Sequence, residues 1–318
     1  MSQPSYRAPW WLPGCHLQTI YPQFFGRGPL PAYRRERWRC PDGDFVDLDW
    51  IDGALQQPLV VLFHGLEGSS RSAYARALMR TLAQRGLRGV VMHFRGCGGE
   101  ANHQPRAYHS GDAEELDWML RRLKTLSPAP LFAAGVSLGG NALLKWLARE
   151  GTRAKQVVTA CAAVSAPLDL MAAGRQLEIG FNRLYARYFL ATMKPKSLEK
   201  LRQFPGLFRE QAVRQATTLR AFDNEVTAPL HGFRDVDDYW TRASSKNELS
   251  RIQVPTLLIH AMNDPFLPGC FLPDPSQVGA HVVCDFSASG GHAGFVSGPF
   301  PGNQRWLPRR ILDFFQSQ

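Results

Sequence analysis

The segment Gly135-Val136-Ser137-Leu138-Gly139 constrains this 318-residue chain more than any other. It follows an apolar run, Leu131-Phe-Ala-Ala-Gly135, that reads as a buried strand. It leads into Leu138-Gly-Gly-Asn-Ala-Leu-Leu-Lys-Trp-Leu-Ala, which reads as a helix. A strand that turns directly into a helix is tight enough to need glycines two positions either side of the central residue. The serine is then forced into a strained backbone conformation, with its hydroxyl raised over the sheet edge. The following helix begins there, so its first N–H groups point at the same spot.

The rest of the chain supplies a sheet for that turn. Tyr33 to Arg39 and Phe45 to Ile51 alternate around Pro41-Asp-Gly-Asp44 and predict a hairpin. Apolar runs at Pro58–Phe63, Gly89–Phe94, Gln156–Ser165, Thr256–His260 and Val282–Phe286 predict further strands. Helical periodicity separates them at Arg71–Arg85 and Asp112–Leu126 and closes the chain at Pro308–Phe315. Continuous apolar strands alternating with amphipathic helices predict an α/β fold with a mostly parallel central sheet flanked by helices. From about Leu168 to Arg251 no strand pattern appears, and segments such as Ile179–Met193 and Ser197–Phe204 read as helices. The expected organisation is a core formed by residues 1–167 and 251–318, with 1–40 irregular, and a helical cap insertion over 168–250.

A serine hydroxyl is a weak nucleophile and needs a base, which needs an orienting acid. Asp264 follows the strand Thr256–His260, and His292 follows the last strand within Ser289-Gly-Gly-His-Ala-Gly294. Loops at the carboxyl ends of parallel strands are where catalytic groups collect. Asp285 and Asp313 are rival acids, but one lies within a strand run and the other on the terminal helix. His260 and His281 are rival bases, but the first is a strand position and the second precedes its strand. Phe63-His64-Gly65-Leu66 ends an early strand and suits an oxyanion loop. The predicted donors are the backbone N–H groups of Leu66 and Leu138, with His64 structural. Phe94-Arg-Gly-Cys-Gly-Gly99 lacks either nucleotide-loop spacing and reads as loop packing. In Tyr108-His-Ser-Gly-Asp112, Ser110 or Asp112 is the expected helix cap.

Hydrophobic residues make up 44% of the chain and charged residues 20%, which excludes disorder. The six cysteines (Cys15, Cys40, Cys97, Cys161, Cys270 and Cys284) show no metal spacing and read as free thiols. Net charge is +10, with an early cluster of Arg27, Arg34, Arg35, Arg37 and Arg39. No nucleic-acid motif accompanies it, so a solvated basic surface is expected. The aromatic run Trp10 to Phe25 is expected to dock on the body of the protein, with peripheral membrane contact as the rival reading. No apolar run reaches bilayer length and no basic-then-apolar leader opens the chain, which sets a cytoplasmic expectation.

With these segments in hand, the chain resembles the α/β-hydrolases and, more narrowly, the bacterial YheT-like hydrolases related to eukaryotic α/β-hydrolase-domain lipases. The matching segments include Gly14-Cys-His-Leu-Gln-Thr19, Pro41-Asp-Gly-Asp-Phe-Val-Asp47, Phe63-His-Gly-Leu-Glu-Gly68, His93-Phe-Arg-Gly-Cys97, Tyr108-His-Ser-Gly111, Ser137-Leu-Gly-Gly-Asn141, Asp264-Pro-Phe266 and Gly290-Gly-His-Ala-Gly-Phe295. The resemblance implies a charge relay of Ser137, Asp264 and His292. The expectation is hydrolysis of short- to medium-chain acyl esters or monoacylglycerol-like lipids through an acyl-enzyme, with no metal or organic cofactor. The rivals are an acyltransferase using an alcohol acceptor and a non-catalytic binding module.

Overall fold

A computed structural model describes residues 6–25 and 28–318. The strands are β1 (Arg34–Arg39), β2 (Phe45–Ile51), β3 (Leu59–Phe63), β4 (Arg88–Met92), β5 (Leu131–Val136), β6 (Ala160–Val164), β7 (Thr256–Ala261) and β8 (Val282–Ser287). They form one eight-stranded sheet in the order β1-β2-β4-β3-β5-β6-β7-β8. The β1–β2 hairpin is antiparallel and joins β4 antiparallel, while β4 through β8 run parallel.

The helices are α1 (Cys15–Phe24), α2 (Ala73–Gln84), α3 (Ala113–Leu126), α4 (Leu138–Glu150), α5 (Leu170–Gln176), α6 (Asn182–Gln203), α7 (Glu210–Gln215), α8 (Leu219–Phe222), α9 (Ala228–Leu230), α10 (Val236–Ala243) and α11 (Trp306–Gln316). Strand alternation divides the core. Leu59, Val61 and Phe63 point to one face with Leu116 of α3 and Leu143 of α4. Val60 and Leu62 point to the other with Met79 of α2 and Ile311 of α11. Each such fully buried side chain contributes about 1.5–3 kcal/mol relative to exposure. Asp112, rather than Ser110, caps α3 by accepting the Glu115 N–H.

Between β6 and β7 lie α5 to α10, which have a small core of their own around Leu190, Val213, Phe222 and Val226. The sequence predicts two helices where α6 is one, running through Pro195. Leu190, Met193 and Leu198 all pack into that small core, so tertiary contacts carry the helix past the missing N–H. The N-terminal segment expected to be irregular contains α1, with Gly14 before it and Pro22 inside it. Those two residues disguise the helix, which long-range contacts described below hold in place.

The basic cluster is not simply solvated. Arg34 pairs with Asp52, Arg35 with Asp49, and Arg37 with Asp47 and Glu100. Arg27 lies outside the described residues. The aromatic run divides: Leu12 is buried, whereas Trp10 is almost fully exposed. All six cysteines are free, and Cys161 is fully buried in β6.

Candidate active site

The parallel strands β5, β7 and β8 end on the same edge of the sheet, and each hands one side chain to the same place. Ser137 follows β5 directly and occupies left-handed space at φ 53°, a conformation that L side chains rarely adopt. Its N–H is held by Val164 O of the neighbouring β6 at 2.8 Å. A Cβ at Gly139 would lie 2.5 Å from the carbonyl oxygens of both Phe63 and His64, and one at Gly135 would lie 2.4 Å from Gly139 O. Only glycine therefore lets the turn close onto β3.

His292 lies beyond β8 and Asp264 beyond β7. Asp264 is fully buried. Burial alone would raise its carboxyl, but the facing His292 imidazole, His260 and the Phe266 N–H hold it below the usual carboxylate range. An ionised carboxylate only accepts, so His292 Nδ1–H donates to Asp264 Oδ2 at 2.9 Å. That fixes the tautomer. Nε2 is left to accept from Ser137 Oγ–H at 2.9 Å. The Phe266 ring lies over the imidazole with centroids 4.1 Å apart.

The rival acids and bases lie elsewhere. Asp285 pairs with Arg310 and Asp313 with Arg85. His260 is fully buried on β7, donates from Nε2 to Leu267 O, and stands 3.5 Å from Asp264. It backs the acid and does not reach the serine. His64 is also fully buried. Phe94 N–H donates to its Nε2 (3.1 Å) and its Nδ1–H donates to Gly65 O (2.8 Å), which ties the ends of β3 and β4 together.

The loop after β3 passes beside the serine. Gly65 N–H donates to Tyr74 and Glu67 N–H to Tyr108, while Gly68 N–H returns to Gly65 O. Among the described residues, Leu66 N–H has no protein acceptor, and neither has Leu138 N–H in the first turn of α4. Both residues line the same cavity as Ser137 and His292. The cavity measures about 530 Å³. Its wall from the insertion is largely apolar and includes Leu177, Phe189, Met193, Phe222 and Val226.

Three supports lie beyond the reach of sequence reasoning. Thr19 Oγ1 accepts the His292 N–H at 2.9 Å, and Gln18 Oε1 accepts from Gly290 N–H and Asn263 Nδ2. The histidine loop is therefore moored to α1. Lys196 of α6 reaches Glu67, whose backbone is itself left-handed at φ 54°. Arg95, read as loop packing, is a buried ion-pair hub for Asp42, Asp44 and Glu115. The one signal for the first support is the Gly14-Cys-His-Leu-Gln-Thr19 segment, which the resemblance marks without giving it a task.

The chain belongs to the α/β-hydrolase fold family, whose sequence model matches residues 58–274. Over 94% of its length it is 43% identical to YheT of Escherichia coli (strain K12), covering 89% of that protein. It is 31% identical, also over 94% of its length, to human phospholipase ABHD3, covering 76% of that chain. Among solved structures, the Pyrococcus furiosus esterase Pf2001 superposes with a TM-score of 0.57 at 16% identity, over 90% of this chain and 92% of that one. At that identity the likeness is one of fold.

Proposed function

We propose that this chain is a serine carboxylic ester hydrolase that works through an acyl-enzyme. The observation that carries the reading is the unbroken hydrogen-bond line Ser137 Oγ–His292–Asp264, set at a strained turn that opens into an apolar cavity. Ser137 Oγ attacks the acyl carbon as His292 Nε2 takes its proton. Asp264 holds the imidazolium so formed. The carbonyl oxygen becomes an oxyanion between Leu66 N–H and Leu138 N–H, donors that each contribute about 100- to 1,000-fold in rate. His292 returns the proton to the leaving alkoxide. Water then attacks the acyl-enzyme by the same relay and frees the acid and Ser137.

The helical stretch 168–250 acts as a cap, with its apolar wall taking the acyl chain. A wall of Leu177, Phe189, Met193, Phe222 and Val226 suits short- to medium-chain acyl groups, including lipid esters. Relatives named phospholipase and monoacylglycerol lipase support a lipid ester. The test is a chromogenic ester series of increasing acyl length, run on the wild type and Ser137→Ala. The wild type should hydrolyse the series and Ser137→Ala should lose at least about 1,000-fold. Equal rates in the two, or no labelling of Ser137 by a fluorophosphonate, would overturn the assignment.

A further inference from the structure

The opening half of α6 turns two unlike faces outward and inward. Asn182, Ala186 and Leu190 are buried, Asn182 donating to Gln176 O and to Pro265 O beyond β7. On the outer side Phe181, Leu184 and Tyr188 are 46%, 49% and 70% exposed, and Ile179 just before the helix is 59% exposed. Positions 181, 184 and 188 follow helical spacing, so they form one apolar stripe in solvent. An exposed stripe of large side chains marks a surface that meets something apolar.

The charges beside the stripe say what. Arg175, Arg183 and Arg187 are exposed, and among the described residues none has an acidic partner. Several exposed arginines elsewhere are engaged, Arg34 with Asp52, Arg214 with Glu210 and Arg242 with Asp238. On β1, Arg34, Arg35 and Arg37 are likewise matched by carboxylates, whereas, among the described residues, the three arginines around α6 stand free beside exposed apolar side chains. We infer that the Phe181/Leu184/Tyr188 stripe, flanked by Arg183 and Arg187, docks on an anionic lipid surface. Apolar and aromatic side chains enter the acyl boundary while the guanidinium groups meet lipid phosphates, the arrangement of an interfacial helix.

A second copy of the chain fits less well. A two-fold contact through this stripe would set Arg183 and Arg187 against their own copies, and Glu178, in the groove they share with Lys194 and Arg214, offsets only part of that charge. Position also favours lipid. Phe181 packs on His16 and on Tyr185, Tyr185 on Phe266, and Phe266 on His292. Phe189 and Met193, further along the helix, line the cavity. The stripe thus borders the route from a lipid layer to Ser137. The inference deepens the ester-hydrolase reading, but docking itself needs no chemistry.

The test is co-sedimentation of the full chain with vesicles of phosphatidylcholine alone or mixed with phosphatidylglycerol, at low and raised salt. The wild type and Ser137→Ala should pellet equally with the mixed vesicles, and raised salt should weaken both. Arg183→Glu/Arg187→Glu and Leu184→Asp/Tyr188→Asp should each bind at least about tenfold more weakly. Both double variants should still hydrolyse a water-soluble short-chain ester at the wild-type rate, which shows that they are folded. Wild-type pelleting that ignores phosphatidylglycerol, or variants that pellet like the wild type, would overturn the inference. So would concentration-dependent dimerisation abolished by Leu184→Asp/Tyr188→Asp without vesicle binding. Absence of ester hydrolysis in a wild type that binds vesicles would instead strike the catalytic reading alone.

Discussion

Lys196 Nζ on α6 donates to Glu67 Oε2 at 2.7 Å, and Glu67 immediately follows Leu66 in the loop beside the serine. The same carboxylate also accepts from Tyr108 OH, which in turn accepts the Glu67 N–H. The insertion is thereby tied to the backbone that presents the Leu66 N–H. Burial works against the Lys196 ammonium, but its pairing with the Glu67 carboxylate holds it charged, above the ordinary lysine value. Lys196→Met should lower kcat about tenfold with KM within about twofold, because a displaced donor is felt most when negative charge develops. Lys196→Arg should recover most of the loss. Steady-state kinetics on a soluble ester decide it, and an unchanged kcat in Lys196→Met would separate the pair from catalysis.

The mooring of the histidine loop makes a second prediction. Thr19→Val keeps the shape of the side chain but removes the acceptor for the His292 N–H. The native state should lose about 1–2 kcal/mol, and kcat should fall about tenfold as the imidazole wanders from the serine. Urea denaturation and ester kinetics on the same preparation measure both numbers. A variant with the stability loss but full kcat would show that the mooring serves folding only.

Glycine substitutions should divide according to what surrounds them. Gly139→Ala places a Cβ 2.5 Å from the Phe63 and His64 carbonyl oxygens, which are backbone atoms and cannot swing aside. A loss of about 3 kcal/mol or more is expected. Gly151→Ala meets nothing within 4 Å and suffers only from its φ of +53°, for about 1–2 kcal/mol. Denaturant midpoints of the two variants test the ranking, and comparable losses would contradict it.

The buried histidines set the direction of the acid response. Burial pushes His64 down to about 3, and His109 likewise to about 3. Both are neutral in the folded protein, whereas in the unfolded chain they take up protons below about pH 6.5. The unfolded state therefore binds more protons between pH 6.5 and 3, and stability falls as pH falls through that window. Each such group contributes a slope of up to about 1.4 kcal/mol per pH unit. His64→Gln keeps an acceptor for the Phe94 N–H and lacks the titration. Its melting temperature should fall less steeply between pH 7 and 4.5 than that of the wild type, and parallel curves would refute the account.

Local chemistry explains why some of this is legible in the sequence. Ser137, Asp264 and His292 each follow an apolar strand, and the context that names them lies within a few residues. The strands β3 to β7 are legible because burial on both faces writes continuous apolar runs. Helix α6 is not, since Pro195 signals a stop that the small core overrides. Helix α1 is not, since Pro22 and Gly14 disguise it. The Gln18–Gly290 and Lys196–Glu67 contacts join residues more than a hundred positions apart. No local pattern encodes such a meeting. The arginine cluster on β1 shows the converse: a run of like charge misleads when the facing strand supplies its carboxylates.

The grip of Thr19 on the backbone of His292 has a consequence for the order of events during synthesis. The serine turn is made 155 residues ahead of the imidazole, and the helix that steadies the histidine loop is made earlier still. Under the proposed mechanism, a nascent chain halted ahead of position 292 has the serine without its base. By that same mechanism, turnover waits until the segments around positions 19 and 292 have met.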